Sequence, residues 1–375
     1  MFLDLEEIVL ENKRIVIKIG SSSLTNSKGE IDQEKFIDHI KAVAELRQAG
    51  YEVLMVSSGA VATGFRKLGY SSRPVTLKGK QAAAAVGQSL LIQSYTEQFS
   101  QFGIIPAQIL LTRNDFSSQD RYKNAYATLT ELLERGILPI VNENDTVSIA
   151  ELTFGDNDML SALVSGLVHA DQLVILTDIN GVYDSNPLTN PTAKKFDYLS
   201  EITDDMMDMA KGSGSKVGTG GMKSKLTAAR TAMSLGVKVF IGTGSGKHKL
   251  LDIMEGLGDG TYIGQAVMSA VTNRKQWISL HSKVAGKLFV DEGAEHALVS
   301  CGSSLLPAGI YQLQGSFIPG DVVEVYGSTG LLGKGEVAYS DTELMKAMGK
   351  RSKDLHYPIV EVIHRDKWVK IAGRE

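Results

Sequence analysis

The chain has 375 residues, of which 43% are hydrophobic and 22% charged, an ordinary globular composition in a chain longer than one hydrophobic core usually serves. Its formal net charge of -4 gives no global attraction to nucleic acid or an anionic membrane, and its single cysteine, Cys301, excludes an intramolecular disulfide. Two domains in a soluble, cytoplasmic protein are expected, because the opening MFLDLEEIVLENK lacks a secretory pattern and no window reaches the roughly 20 apolar residues of a spanning helix.

From Arg14 to about Ile263, short apolar runs rich in Val and Ile alternate with longer amphipathic segments, as βα units do. This predicts an α/β fold with a mainly parallel sheet sandwiched by helices. The expected strands are residues 14–19, 53–57, 105–111, 137–141, 173–177 and 237–241. Between them, Phe36, Ile40 and Val43 share a helical face that stops at Gly50. Ala125, Leu129 and Leu132 likewise precede Gly136, and Ala229 and Met233 precede Gly236, so these glycines read as helix ends. Residues 147–154 alternate less regularly and suggest a hairpin between helices. After Thr272 the pattern changes to short strand-like stretches, 287–290 and 321–326, separated by Gly, Pro and Asp, with one helical stretch near 341–348. The expected organisation is an α/β domain over 1–264, a connection over 265–279, and a small, mostly β domain over 280–375.

Five stretches carry groups suited to chemistry. In IKIGSSSL, Lys18 closes the first strand and Gly20 opens a turn crowded with hydroxyls and amides at Ser21, Ser22 and Ser23, a setting for phosphate; the plain alternative is a solvated lysine at a strand end. In VSSGAVATG, Ser57, Ser58 and Gly59 lie between a strand and a helix, where small residues also serve a simple tight turn. VNENDTVSIAELTFGDND gathers Asn142, Glu143, Asn144, Asp145, Asp156, Asn157 and Asp158, groups able to bind an ammonium, position lysines or sit near magnesium, against the alternative of a solvated acidic loop. LTDINGVYDSNP ends a strand at Thr177 and Asp178. In GSGSKVGTGGMKSKL, glycines precede a helix carrying Lys223 and Lys225, which suits a nucleotide's phosphates better than a plain linker would.

Other site classes are poorly supported. GTGSGKH, at residues 242–248, lacks the first glycine and the final Ser or Thr of a P-loop, and the first strand is followed by GSSSLT rather than GxGxxG. The seven histidines show no close pair at helical ligand spacing.

Taken in order, IKIGSSSL, VSSGA, VNENDTV, FGDND, LTDINGVY and GTGGMKSK resemble the motif series of the amino-acid-kinase family, and within it that of the glutamate 5-kinases. VDEGAEHAL, GSSLLPAGI and the turn at Gly320 and Asp321 resemble a PUA domain. The resemblance implies ATP-dependent phosphorylation, with magnesium (Mg2+), of the γ-carboxylate of L-glutamate, the step that opens proline biosynthesis. It assigns Lys18 and Lys225 to the transferring phosphate, and Thr177 and Asp178 to the nucleotide. Thr219, Gly220, Gly221, Met222, Lys223, Ser224 and Lys225 fall to the nucleotide's phosphates, and Ser58, Gly59, Asp145 and Asn157 to glutamate. Asp156 and Asp158 order the catalytic lysines or the magnesium environment, a division the resemblance leaves open, and it names no metal ligand. Ser57 stands where the family more often has threonine, with the hydroxyl retained. Feedback inhibition by L-proline and assembly into homo-dimers or tetramers are further implications. Competing readings are a related kinase acting on acetylglutamate, aspartate or carbamate, and an RNA-binding protein using Lys346, Lys350, Arg351 and Lys353. The near balance of acidic and basic residues after 280 weakens the latter.

Overall fold

The computed structural model describes residues 13–26, 28, 30–147, 157–187, 189–210, 221–265, 272–350 and 361–370. The chain divides into two compact units, one within residues 1–113 and 124–270, the other within 114–123 and 271–375.

In the first unit β1 (Arg14–Ile19) leads through α1 (Ser21–Leu24) and α2 (Gln33–Gln48) to β2 (Glu52–Ser57). The chain continues through α3 (Ala60–Gly64), the long α4 (Leu77–Ser100) and β3 (Pro106–Leu111), passes through residues 114–123 of the second unit in α5 (Arg113–Ser117) and the start of α6 (Gln119–Glu134), and resumes the first unit in the rest of α6 and β4 (Leu138–Glu143). Next come α7 (Asn157–Leu167), β5 (Gln172–Leu176), an antiparallel pair β6 (Val182–Tyr183) and β7 (Lys195–Phe196), and β8 (Tyr198–Leu199). The unit closes with α8 (Asp204–Met209), α9 (Met222–Ser234), β9 (Lys238–Gly242), α10 (Lys249–Met254) and β10 (Gly260–Ile263). The eight-stranded sheet has the order β3-β4-β2-β1-β5-β9-β10-β8, and only the β9–β10 pairing is antiparallel. The mainly parallel sheet read from the sequence is therefore present, its strands within a residue or two of their expected limits.

Parallel strands covered on both faces need continuous apolar runs, and β1 (RIVIKI) is buried from Ile15 onward. Ile15, Ile17 and Ile19 pack in one core with Phe36, Ile40 and Val43 of α2 and with Tyr95 and Phe99 of α4. Burying each such side chain contributes about 1.5–3 kcal/mol relative to leaving it exposed. The helices stop where the sequence says they should: Gly50, Gly136 and Gly236 have φ of 91, 68 and 85, conformations that favour residues without a Cβ. A second use of glycine draws α3 and α4 together. A Cβ on Gly87 would stand 1.7 Å from the Ala60 carbonyl oxygen, and one on Gly64 2.0 Å from that of Ala83, so the two backbones touch.

Topology fixes where a ligand goes. From β1 the chain builds toward β2, β4 and β3, then returns to β5 on β1's other side. Such a reversal opens a crevice beyond the carboxyl ends of the strands. The register sets those ends flush, with Ile19 opposite both Ser57 and Leu176, and Leu176 opposite Gly242.

The second unit contains α11 (Asn273–Gln276), β11 (Val284–Val290), α12 (Glu292–Val299), β12 (Ile310–Gly315), β13 (Val322–Gly327), β14 (Gly330–Glu336), α13 (Asp341–Ala347) and β15 (Trp368–Lys370). Its sheet has the order β12-β11-β13-β14-β15 around a core that includes Leu288, Val323, Val325, Leu344 and Ile363. This is the expected small, mostly β domain, with α11 and α12 beyond the one helical stretch expected. α12 starts at Asp291, whose side chain accepts from the Ala294 amide at 2.8 Å, with Glu292 and Glu295 in its first turn. Among the described residues no helix is long and apolar enough to cross a membrane.

Candidate active site

The first turn of α7 meets the carboxyl ends of three strands. Asn157 is buried, and its amide nitrogen donates to the Ser57 carbonyl, to Asn142 Oδ1 at 2.8 Å and to Ser58 Oγ at 3.1 Å, tying the end of β2 to that of β4. The next residue, Asp158, has no exposed surface. One of its oxygens pairs with Lys18, one residue from the end of β1, and the other with Lys225 Nζ of α9 at 3.1 Å. Two consecutive residues of one turn thus gather groups far apart in sequence. Both lysines are buried with their partner. A Cβ on Gly20 would lie 3.2 Å from Lys18 Nζ, so glycine there leaves room for the ammonium.

Burial on its own would raise the pKa of Asp158, but the ammonium groups of Lys18 and Lys225 outweigh it and hold the carboxyl below the usual carboxylate range. The trio is therefore two cations around one anion and carries one net positive charge. A dry, fixed positive charge stabilises an arriving anion more than a solvated lysine does, because little water screens it.

Behind this cluster a second row of polar groups fixes the strand ends. Ser57 Oγ lies 2.8 Å from Tyr95 OH, and Asn142 Nδ2 donates to Gln88 Oε1 at 2.8 Å. Burial pushes the Tyr95 phenol up to about 12, so it stays protonated. Both Gln88 and Tyr95 belong to α4, the helix that the glycine crossing brings close to α3. Gly59, at φ 105, caps the start of α3 in a left-handed conformation and follows Ser58 directly.

The remaining expected residues that the structure describes follow β4 and β5 or begin α9. Past β5, the Thr177 amide donates to the Gly242 carbonyl at 2.9 Å, and its buried hydroxyl donates to Asp178 Oδ1 at 3.1 Å, leaving Asp178 exposed. Gly221 occupies the N-cap of α9 with no side-chain cap and no acidic residue in the first turn, a helix start suited to phosphate, and the Ser224 amide closes that turn by donating to the Gly221 carbonyl at 3.0 Å. Met222 and Ser224 are half-buried there, whereas Lys223 is exposed and Lys225 buried, two positions apart on opposite sides of the helix. Past β4, Asp145 is partly buried, and its carboxyl is pushed up to about 6, first by burial and then by the charge of Glu143. Asp156, Thr219, Gly220 and residues 148–154 of the expected hairpin lie outside the described residues.

Two members of the site escape a reading of the sequence. Gln88 and Tyr95 sit in a helix of small residues, AAAAVGQSLLIQSY, where polar groups ordinarily face solvent. The only signal is a glycine beside Gln88 in mid-helix, a position that usually costs stability unless another backbone needs the space.

Comparison with known proteins completes the description. Residues 13–243 match the amino acid kinase family and residues 286–358 match the PUA domain. The chain is 64% identical to glutamate 5-kinase 1 of Bacillus licheniformis over 363 residues, covering 96% of this chain and 100% of that protein. It is 62% identical to glutamate 5-kinase 1 of Bacillus subtilis, again over 363 residues, 96% of this chain and 100% of the relative. For glutamate 5-kinase of Geobacillus kaustophilus the identity is 57% over 367 residues, 96% of this chain and 98% of the relative. Among solved structures, carbamate kinase from Giardia lamblia bound to AMP-PNP superposes with a TM-score of 0.50 at 15% identity, over 68% of this chain and 98% of that one, a likeness of fold.

Proposed function

The chain belongs to the amino acid kinase family and carries a PUA domain, and from that premise we propose that it is a glutamate 5-kinase. It transfers the γ-phosphoryl group of ATP to the side-chain carboxylate of L-glutamate, giving γ-glutamyl phosphate, the first step of proline biosynthesis. Identities of 57–64% over nearly the whole chain support the substrate assignment. The structural observation that carries the chemistry is the buried Lys18–Asp158–Lys225 cluster at the carboxyl ends of the strands.

The reaction asks little of acid-base catalysis. A glutamate γ-carboxylate has a reference pKa of about 4.3 and attacks already ionised, so no general base is required. The difficulty is to bring two anions into line and to neutralise the charge spread over the phosphoryl group in transfer. In this reading Lys18 and Lys225 neutralise that charge, and Asp158 fixes both ammonium groups in advance instead of binding metal. The amides at the start of α9, from Gly221 through Lys223, cradle the nucleotide's phosphates. Thr177 and Asp178 contact the nucleotide. Ser58, Gly59 and Asn157 hold glutamate, with Asp145 facing its ammonium group. Because the amide nitrogen of Asn157 is engaged by Ser57, Ser58 and Asn142, this residue meets glutamate through its carbonyl oxygen.

Magnesium fits this site as a passenger of the nucleotide. Among the described residues no three His, Cys, Asp or Glu side chains form a metal cage, whereas magnesium commonly binds through substrate phosphates and water. When bound with ATP it supplies further neutralisation of phosphate charge. The same reading takes L-proline as feedback inhibitor, a homo-dimer or tetramer as the assembly, and the cytoplasm as the location. It takes residues 1–264 as the catalytic domain, 265–279 as the connection and 280–375 as the PUA domain.

An ATP-dependent hydroxamate assay tests the function, because hydroxylamine traps acyl phosphates. Hydroxamate is expected with L-glutamate and magnesium and at background level with N-acetyl-L-glutamate or L-aspartate. Hydroxamate formed from either of the latter but not from L-glutamate overturns the assignment.

A further inference from the structure

A further buried cation is linked to the turn that follows β1. Lys249, the first residue of α10, is 3% exposed, and His39 of α2 is 7% exposed. His39 Nε2 lies 3.2 Å from the Ser23 carbonyl oxygen. A carbonyl can only accept, so Nε2 carries the proton and Nδ1 of the neutral ring is an acceptor. Lys249 Nζ, 3.1 Å from Nδ1, is the donor to it, and it also pairs with the Asp38 carboxylate. Burial and then the Lys249 charge hold the imidazole down to about 4, neutral throughout the working range. A line of donors thus runs from Lys249 through His39 to the backbone of Ser23.

Its two ends matter. Ser23 lies in α1, whose turn closes when the Ser23 amide donates to the Gly20 carbonyl at 3.1 Å, two residues past Lys18. Lys249 begins the helix that follows β9, and the Gly242 carbonyl ending β9 accepts the Thr177 amide. The relay therefore joins α1, beyond β1, to α10, beyond β9, two strands on either side of β5 in the sheet order. Mere packing does not account for it: burying an ammonium and fixing a long side chain cost more than filling the space with Leu or Met.

We propose that His39 and Lys249 are positioning residues for the phosphates of ATP, holding the hydroxyl-rich turn Ser21–Ser23 at the height the nucleotide requires. This rests on the kinase reading above and adds to it two residues that touch neither substrate.

The test measures AMP-PNP binding in the presence of magnesium by calorimetry, alongside steady-state kinetics, on the full chain. His39→Leu and Lys249→Met are expected to weaken AMP-PNP and raise the KM for ATP by about tenfold, with the glutamate KM within about twofold. His39→Gln, whose amide nitrogen can reach the Ser23 carbonyl, should stay within about threefold of the unaltered protein for ATP. Glu45→Gln removes a separate contact between α2 and the residue capping α10, His248–Glu45 at 3.3 Å, and should leave AMP-PNP binding unchanged. A folded His39→Leu protein with unaltered AMP-PNP affinity overturns the proposal, as does a His39→Gln protein no better than His39→Leu. AMP-PNP binding is read without glutamate. An unaltered protein that binds AMP-PNP but fails to phosphorylate glutamate, with the same ranking of variants, overturns the acceptor assignment and upholds the relay.

Discussion

Each unit of the molecule buries one carboxylate between two cations, and the two clusters are built differently. In the first unit Asp158 holds Lys18 and Lys225, whose side chains are only 5% and 9% exposed. In the second, Glu336 holds Arg274 at 2.8 Å and Lys367 at 2.9 Å, but those side chains are 45% and 27% exposed. The Glu336 cluster is a clamp: it fastens α11 and the turn before β15 to the end of β14, and water shares the cations. The Asp158 cluster leaves water out of both cations, an arrangement that costs stability unless an incoming anion uses it. Between these two clusters, burial of the cations, more than the presence of ion pairs, distinguishes the one proposed to act on phosphate from the one that ties elements together.

Substitutions sharpen the contrast, beginning with the largest effect. Lys225→Met should lower kcat by roughly 100- to 1,000-fold while the glutamate KM changes little, because the charge acts mainly in the transition state. Near-normal turnover removes Lys225 from the reaction and makes the first cluster another clamp. Asp145→Ala should raise the glutamate KM by about 10- to 100-fold with a smaller change in kcat, since a carboxylate facing the substrate's ammonium contributes mostly to binding. An unchanged KM takes Asp145 out of the substrate site.

The pH dependence separates the carboxylates further. Asp145 is pushed up to about 6, so its charge is present above that pH and is lost as pH falls through it. The glutamate KM should therefore be flat above pH 6 and rise by about tenfold per pH unit below it, and Asp145→Asn should abolish the slope. Asp158 is held below the usual carboxylate range and adds nothing to that slope. Glu336 is likewise depressed, burial being outweighed by Arg274 and Lys367. Its stabilisation is complete above the unfolded carboxylate pKa and is lost as pH falls through the lower folded value. Glu336→Gln should cost the second unit about 1–3 kcal/mol in denaturant unfolding and leave kcat within about twofold. A large loss of turnover would erase the distinction between the clusters.

Much of this organisation is legible in the sequence, for physical reasons. Parallel strands buried on both faces must be apolar runs, so RIVIKI and QLVIL announce β1 and β5. Helices ending in a left-handed residue select glycine, so Gly50, Gly136 and Gly236 mark their ends. Lys18 and Lys225 stand out because each sits beside glycines at an element boundary. The illegible parts depend on contacts between distant segments. Gln88 and Tyr95 look like ordinary helix residues until the Gly64–Gly87 approach brings α4 to the strand ends. His39 and Lys249 are 210 positions apart and meet only once α2 and α10 pack together. The division of labour between Asp156 and Asp158 is open in the sequence because both stand at the start of the same helix; the structure pairs Asp158 with both lysines, and Asp156 lies outside the described residues.

The most direct test of convergence is a double-mutant cycle on kcat with Lys18→Met, Lys225→Met and the pair. If both ammonium groups act on one phosphoryl group through the shared Asp158, the double variant should fall no more than about tenfold below the poorer single variant. Penalties that multiply in full would mean that the two lysines work independently and that no common anion lies between them.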